Sequence, residues 1–518
     1  MKKRYFALFM AVIMVITFMT SCAPKTPETP NGTGGSATDP AGEKKDRLVV
    51  AVPDAPIHLD PHIQASIASY RVTTQIFDRL LSMDNELNFV PGLAESWEVL
   101  DDRTTQFNLR KDVTFHDGEH MTAEDVKFSL ERCIASNGVN YNYLIISDID
   151  IVDDYTITIT TREPFNAMLY RLTLDAASIM SKKAVEAAGD DFNNNPVGAG
   201  PYRFVSWDLA GDVVLEAFPE YYKGESAVKT LVFRQIPEAI NRGLGLETGE
   251  IDLAYDLEIT DLANLEANKN LDIKTAVSTT VWYVGFNCNH PILANEKVRQ
   301  AIAYAINPQD VIDIVFSGVA DPAHNTMLVP RLFGSAAPSN EYEQDFEKAK
   351  ALLADAGYAD GFDIELWCSD SQVMRTMAEV LQDQLRQIGV VVKILPSEQG
   401  SYYEDTGNGK HEMFILSKTS IDPDSMMRAM YHTEALGPSG NRSFWTSPEV
   451  DAKLDEASTT TDQARAAELY EEVQEIVGTT LPLYPLAIEH LTAGMQNNVA
   501  GFDLYPGKSH YIYGTYFK

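Results

Sequence analysis

The chain has 518 residues, 45% of them hydrophobic, and this length predicts two or three domains rather than one. It carries 75 acidic and 41 basic residues, a formal net charge of −34. Because such a surface repels phosphate, nucleic-acid binding is not expected.

The amino-terminal segment has the pattern of a secretory signal peptide. Residues 1–21 combine a positively charged start, a short apolar run and small residues before Cys22. The run is shorter than the ~20 apolar residues that span a membrane. Residues 19–22 resemble a bacterial lipobox, which predicts that Cys22 is lipidated; the alternative is an ordinary signal peptide followed by a coincidental cysteine.

The segment that follows supports an anchor. Residues 22–46 are rich in Pro, Gly and Thr and contain no large apolar residue, which predicts a disordered tether. We therefore expect an exported protein, lipid-anchored on the outer face of the bacterial cytoplasmic membrane or on a periplasm-facing membrane.

Hydrophobic periodicity predicts alternating strands and helices along the rest of the chain. Thr122, followed three residues later by Asp125, predicts a capping box at the start of one helix. The expected elements in chain order are strand 46–53, helix 72–84, strand 104–110, helix 122–133, strand 155–161, helix 295–306 and helix 346–357.

One βαβ unit is especially clear. Strand 362–368, helix 373–389 and strand 390–396 follow one another, so the two strands are expected to be parallel neighbours. Ligands of open α/β sheets bind outside the carboxyl ends of the strands. This rule places Trp367 and Arg375 at a predicted cleft.

The stretch MFILSKTSIDPDS, residues 413–425, also has polar residues after an apolar strand end. Residues 413–416 predict a buried strand end, and the polar run after them is expected to face the same cleft. Ser417, Thr419 and Asp422 are therefore candidate ligand contacts. An Asp-Pro turn is the alternative for Asp422.

Aromatic residues near predicted strands fit a ring-lined ligand pocket, because rings bury apolar area while Trp and Tyr keep a polar tip. Packing in the hydrophobic core is the alternative for each of them. The residues are Trp282, Tyr283, Trp367, Tyr402 and Tyr403.

The sequence contains no G-x-S-x-G, P-loop or H-E-x-x-H motif, and neither catalysis nor a cofactor is expected. His58 and His62 are four residues apart, but the prolines at 56 and 61 argue against a shared helical face, so no metal site is expected. Cys288 and Cys368 could form a disulfide in an exported protein, with free thiols as the alternative.

Several motifs, in this order, resemble the extracellular solute-binding proteins of peptide- and nickel-type ABC importers, solute-binding family 5. The resemblance covers nearly all of residues 47–518. The motifs are HLDPH (58–62), FVPGLAESWEV (89–99), FNLRKDVTFHDGEHMTAEDVKFSLER (107–132), PVGAGPYRFVSWDLAGDVVLEAF (196–218), LETGEIDLAYDL (246–257), VGFNCNHPILANEKVRQAIAYAI (284–306) and GNRSFWTSPEVDAKLDEA (440–457).

The resemblance implies a periplasmic-binding-protein-like α/β fold, in which two lobes joined by hinge strands are accompanied by an extra α+β domain. Lobe I would comprise 47–85, 196–280 and 482–518. The extra domain would be 86–195, and lobe II would be 281–481.

The resemblance also implies where ligand binds, between the lobes. Gln64, Ser69 and Tyr70 follow the HLDPH motif, and Arg375 would meet a ligand carboxylate. Peptide binders of the family commonly have a Trp and an Asp at the positions of Leu416 and Thr419. These two departures weaken the assignment of a free-amino peptide.

The expected function is therefore that of a monomeric receptor that captures a solute and delivers it to an ABC permease. A peptide is the leading ligand, with a nickel chelate, an opine or a saccharide as alternatives. From other classes, a secreted hydrolase using two of the many acids, or a surface sensor without a transporter, remains an alternative.

Overall fold

The structure, a computed structural model, describes residues 45–208 and 211–518. The expected signal peptide, Cys22 and the tether up to residue 44 therefore lie outside the described residues. Within the described ranges, no helix is long and apolar enough to cross a membrane.

Strands and helices alternate along the described residues, which confirms the α/β class. The strands are β1 (Arg47–Val52), β2 (Leu81–Met83), β3 (Phe89–Pro91), β4 (Ala94–Val99), β5 (Thr104–Leu109), β6 (Ile146–Asp153), β7 (Thr156–Thr161), β8 (Tyr202–Trp207), β9 (Val213–Ala217), β10 (Thr230–Gln235), β11 (Leu253–Tyr255), β12 (Leu271–Phe286), β13 (Ala320–Pro322), β14 (Phe362–Ser369), β15 (Val390–Ser397), β16 (Met413–Thr419), β17 (Leu483–Gln496), β18 (Val499–Ala500) and β19 (Tyr516–Phe517).

The helices cover the faces and ends of these strands. They are α1 (Ile67–Ile76), α2 (Ala123–Ala135), α3 (Met168–Thr173), α4 (Lys182–Ala188), α5 (Ala239–Thr248), α6 (Leu262–Glu266), α7 (Glu296–Ala305), α8 (Pro308–Val315), α9 (Phe346–Asp355), α10 (Gln372–Arg386), α11 (Gln399–Gly407), α12 (Pro423–Tyr431), α13 (Pro448–Thr459) and α14 (Gln463–Thr480).

One large mixed sheet organises the fold. In the described chain its strand order is β15-β14-β16-β12-β17-β11-β1-β10-β9-β8, with β13 added on β17. The antiparallel pair β12 and β17 lies at its centre, with 16 and 14 residues. Strand β16 joins β12 at one end of this pair and β11 joins β17 at the other. The pair therefore connects two halves of the sheet, and its register shifts between residues 277 and 281.

The hydrophobic core is divided in the same way. One cluster lies around β12, β14 and β16, and a second lies around β1, β9 and β10. A third packs inside a separate four-stranded sheet of order β4-β5-β7-β6, against α2 and α3. A cavity lies where segments of these three regions meet.

The predicted βαβ unit is confirmed. Strands β14 and β15 are parallel, with residues 362–369 paired to residues 390–397, and α10 connects them. The predicted capping box is also confirmed, because the Thr122 backbone N–H donates to the Asp125 carboxylate at 3.0 Å. Cys288 and Cys368 are free thiols, so the disulfide that the sequence left open is not formed.

The helix predicted at 72–84 is wrong in its second half, since α1 ends at Ile76 and β2 follows at Leu81–Met83. Backbone carbonyls that a longer helix would use accept bonds from other segments instead. The Ile76 carbonyl accepts from the Gly200 N–H at 2.8 Å, and the Asp78 carbonyl accepts from the Ile179 N–H at 2.9 Å. Tertiary pairing thus overrides the local helical periodicity.

The strand end predicted at 416 was also placed too early. Strand β16 continues to Thr419, because residues 413–419 pair along their whole length with residues 280–286 of β12. Polar side chains at 417–419 are compatible with this strand because its last residues lie at the edge of a cavity rather than in the core.

Candidate ligand-binding cleft

A cavity of about 370 Å³ lies between parts of the chain that are far apart in sequence. Its walls come from α1 and the residues before it, from the turn after α3, from the end of β16 and from the carboxy-terminal segment 505–511. Its lining residues are Ala65, Ile67, Tyr70, Arg79, Tyr141, Asn142, Arg171, Thr173, Leu174, Asp175, Ala176, Lys418, Thr419, Ser420, Ile421, Asp422, Ser425, Tyr505, Gly507, Ser509 and Tyr511. Its volume is within the range of ~300–1,000 Å³ that is usual for small-molecule sites.

One wall is held by a buried ion pair. The Arg79 guanidinium lies 2.5 Å from the Asp175 carboxylate and also donates to the Tyr511 hydroxyl. Asp175 further accepts hydrogen bonds from the hydroxyls of Thr74 at 2.5 Å and Ser509 at 3.0 Å. These bonds satisfy both charges within the protein and connect α1, the turn after α3 and the carboxy-terminal segment.

A second ion pair crosses from α3 to the start of α12. The Arg171 guanidinium lies 3.0 Å from the Asp422 carboxylate and 3.7 Å from that of Asp424. Asp422 also caps α12 by accepting from the Ser425 N–H at 3.3 Å. Both carboxylates are 2% exposed, so two acids share one buried cation.

Burial makes the two acids hard to ionise, and the one cation that they share offsets this only in part. Burial raises the pKa of Asp422, although Arg171 opposes the shift. Burial, and then the neighbouring charge of Asp422, raises the pKa of Asp424 to about 7. Near neutral pH the cluster therefore holds less negative charge than two free carboxylates would.

Lys418 is the remaining charged residue of the cavity wall. Its side chain is half-buried, and within the described residues no hydrogen bond or ion pair engages its ammonium group. Burial, and then the charge of Arg442, lowers the pKa of Lys418. The cleft therefore has one uncompensated cation, in a chain whose net charge is −34.

Three of the residues predicted from the sequence line this cavity. Tyr70 contributes a buried ring from α1, and Asp422 contributes the ion pair with Arg171. Thr419 lies at the end of β16, where its hydroxyl is 2.8 Å from that of Thr280. These residues come from two of the three regions predicted from the sequence, the segment after HLDPH and the polar run that begins at residue 417.

Other predicted residues lie elsewhere. Gln64 is exposed and Ser417 is half-buried, and neither lines the cavity in the described chain. The Ser69 hydroxyl is turned toward the preceding loop, where it accepts from the N–H groups of Ile57 and His58. Ser69 thereby holds the chain before α1 in place.

The βαβ unit places its candidates away from this cavity. Trp367 donates from its indole N–H to Glu365, and Tyr402 is fully buried and donates to the Ile415 carbonyl at 2.5 Å. Arg375 is exposed and donates to Gln372 at 3.1 Å. Tyr402 therefore packs in the hydrophobic core, which was the alternative to a place in the pocket. The aromatic residues that line the cavity are Tyr70, Tyr141, Tyr505 and Tyr511.

Sequence reasoning did not select Arg79, Arg171 or Lys418. Lys418 lies inside the polar run that was predicted to face the cleft, so the sequence did indicate its approximate position. Arg171 is about 250 positions away from its partner Asp422, and no local pattern indicates that they meet. Within residues 45–208 and 211–518, no group of three or more His, Cys, Asp or Glu residues is arranged to hold a metal ion.

The fold and the cleft are those of a solute-binding protein of the periplasmic-binding-protein type, the class that serves ABC importers. Residues 88–437 match the model described as bacterial extracellular solute-binding proteins, family 5 Middle. The chain belongs to this family.

Relatives cover almost the whole chain. The glutathione-binding protein GsiB of Salmonella typhimurium is 32% identical over 486 residues, which are 91% of this chain and 94% of that protein. Among solved structures, HbpA2 of Haemophilus parasuis has a TM-score of 0.82 and 28% identity, covering 91% of this chain and 100% of its own. DppA of Helicobacter pylori, in complex with the peptide STSA, has a TM-score of 0.78 and 29% identity, covering 92% and 98%. GsiB and DppA are both named as binding proteins.

Proposed function

We propose that this protein captures a short peptide or peptide-like solute in the cleft and delivers it to the permease of an ABC importer. The observation that carries the proposal is the cavity of about 370 Å³, which lies where three regions of the chain meet. Tyrosine rings supply apolar surface there, and hydroxyl and amide groups at its wall supply hydrogen bonds.

The relatives support a peptide class of ligand. GsiB proteins that are 30–32% identical to this chain are named for glutathione, a tripeptide with two carboxylates. DppA was solved with the peptide STSA. Glutathione and di- to tetrapeptides are therefore the first ligands that we propose for this cleft.

We also propose the lobe boundaries given by the sequence. Lobe I comprises 47–85, 196–280 and 482–518, lobe II comprises 281–481, and the extra domain comprises 86–195. Three hydrophobic clusters, each drawn mainly but not entirely from one of these regions, support the division. The long strands β12 and β17, with their register shift near 277–281, have the position expected of a hinge.

Isothermal titration calorimetry of the purified protein against a ligand panel tests the proposed class. The panel contains glutathione, trialanine, Met-Leu, nickel with histidine, mannopinic acid and maltotriose. We expect at least one peptide to bind ten times more tightly than every non-peptide compound. Tighter binding of the nickel complex, the opine or the saccharide would assign the cleft to that class instead.

We further propose that Cys22 carries a lipid anchor and that the receptor acts as a monomer on the outer face of the membrane. The lipobox-like sequence before Cys22 supports this. Replacement of Cys22 by alanine should move the exported protein from the membrane fraction to the soluble fraction. Equal membrane retention of both forms would argue against lipidation, and light scattering of the mature protein tests the monomer.

A further inference from the structure

The charges in the cavity wall do not balance. Five charged residues line the cavity, and four of them form the pairs Arg79–Asp175 and Arg171–Asp422. The fifth, Lys418, is left without an anionic partner among the described residues. A cavity wall that is neutral apart from one ammonium group offers an electrostatic site for an anion.

The surroundings of Lys418 do not supply that anion. Asp422 and Asp424 face the buried Arg171 guanidinium. The charge that lowers the pKa of Lys418, besides its burial, is that of Arg442, another cation, whose guanidinium donates to the Tyr403 carbonyl and to the Thr406 hydroxyl at 2.7 Å. Holding a partly buried ammonium without a counter-charge is unfavourable, and an incoming carboxylate would remove that penalty.

The backbone fixes where this ammonium can lie. Lys418 is the next-to-last residue of β16 and is held in register opposite Val281 of β12. It is thus mounted on a strand, next to the strand pair that connects the two halves of the sheet. Because this backbone is already ordered by strand pairing, only the freedom of the lysine side chain is lost when it meets a ligand.

We propose that Lys418 forms the anion-binding subsite of the cleft and receives a carboxylate of the captured solute, in peptides the carboxy-terminal one. This inference rests on the proposed function and narrows it, because it makes solutes with a free carboxylate the preferred class. In the peptide binders that the chain resembles, an Asp at the position of Thr419 meets the ligand's amino group. Here the same stretch, 413–425, would instead bind the ligand's carboxylate through Lys418.

The proposed contact between Lys418 and a ligand carboxylate is tested by combining protein variants with ligands that have or lack that carboxylate. Calorimetry measures the affinity of the wild type, Lys418→Met and Lys418→Arg for glutathione, trialanine and the carboxy-terminal amides of both. A hydrogen bond between charged groups contributes about 1.5–3 kcal/mol, so Lys418→Met should weaken binding of the acids roughly 10- to 100-fold. It should change binding of the amides less than about threefold, and Lys418→Arg should retain most of the affinity for the acids.

A matched control removes the same charge elsewhere. Lys410 is an exposed lysine that pairs with Asp405 at 2.6 Å on the surface of the same region. Lys410→Met has the same net charge as Lys418→Met, and it should bind acids and amides as the wild type does. Thermal melting of each variant verifies that it is folded.

Two results would overturn the subsite. Equal weakening of acids and amides by Lys418→Met would show that the lysine acts through packing, and unchanged affinity for the acids would show that it points to solvent. If the folded wild type binds no peptide of either form, the proposed function itself is rejected, and the subsite with it. The variants thus separate failure of the subsite from failure of the function.

Discussion

Asp424 is a carboxyl group whose protonation changes on folding. Burial and the adjacent Asp422 raise its pKa to about 7, from a usual value of 3.8. The folded protein therefore holds a proton that the unfolded chain has released between these two values. The stabilisation that results is fully present below about pH 4 and is lost as the pH rises through about 7.

Replacing Asp424 by asparagine should keep the shape of the neutral acid at every pH. We expect Asp424→Asn to raise the free energy of unfolding by at most about 2 kcal/mol at pH 5, where the unfolded wild type is already ionised and the folded protein is not. At pH 8 it should stabilise the protein, by at most about 4 kcal/mol, because the wild type must then ionise a buried group. Urea unfolding at the two pH values measures this difference.

Asp383 offers the comparison for this substitution, since it is 67% exposed and pairs on the surface with Arg386. Asp383→Asn should have nearly the same small effect at pH 5 and pH 8. An Asp424→Asn variant that behaves like Asp383→Asn would mean that Asp424 stays ionised in the folded protein.

Tyr70, Thr419 and Asp422, which line the cavity, could be selected from sequence because Tyr70 follows the HLDPH motif and the other two lie in the polar run after an apolar strand. Lys418 stands between Ser417 and Thr419 in the same polar run. A sequence does not distinguish a lysine that faces a cleft without a partner from one that is paired at the surface, because the partner is set by tertiary packing. The Arg171–Asp422 ion pair could not be predicted from the sequence for the same reason.

Two glycines with left-handed backbones show how closely the βαβ unit is packed. Gly361, directly before β14, has φ +78°, and a Cβ there would lie 1.9 Å from the Gly389 carbonyl oxygen. Gly357 has φ +90°, but a Cβ there would meet open space. A substitution at either glycine would strain the backbone, but only the one at Gly361 would also produce a steric clash.

Gly357→Ala should therefore destabilise the protein by about 1–2 kcal/mol, the usual strain of a left-handed alanine. Gly361→Ala should destabilise it by at least about 2 kcal/mol more, because the start of β14 must move away from Gly389. Urea unfolding of both variants tests the difference. Equal losses would show that the loop before β14 adjusts without disturbing the parallel strand pair.

The elements that could be predicted were those whose own residues decide their structure. Helix α10 and its flanking strands have strong periodicity, and Gly389 follows the helix, so the βαβ unit was correct. Residues 77–84 were predicted to continue helix α1, yet the carbonyls of Ile76 and Asp78 accept hydrogen bonds from the N–H groups of Gly200 and Ile179. The polar end of β16 was missed because pairing with β12 extends the strand beyond its apolar part.

Buried histidines are distributed over the entire folded body and share one electrostatic consequence. Burial lowers the pKa of His62, His116 and His411 to about 4 and that of His510 to about 3. Their usual value is 6.5. The unfolded chain therefore binds more protons than the folded protein between about pH 6.5 and pH 4, so these groups make stability fall as the pH falls through that window.

Acid should consequently weaken the fold well above the pH at which surface carboxylates titrate. At pH 5 each of these histidines contributes a loss of at most about 2 kcal/mol relative to pH 7.5. We expect the melting temperature to fall steadily from pH 7.5 to pH 5, although protonation of Asp424 acts in the opposite direction. His116→Gln should reduce this slope, because it removes one proton-binding group from the unfolded chain, whereas Asp424→Asn should increase it. A melting temperature that does not change between pH 7.5 and pH 5 in all three proteins would mean that the buried imidazoles bind protons without unfolding.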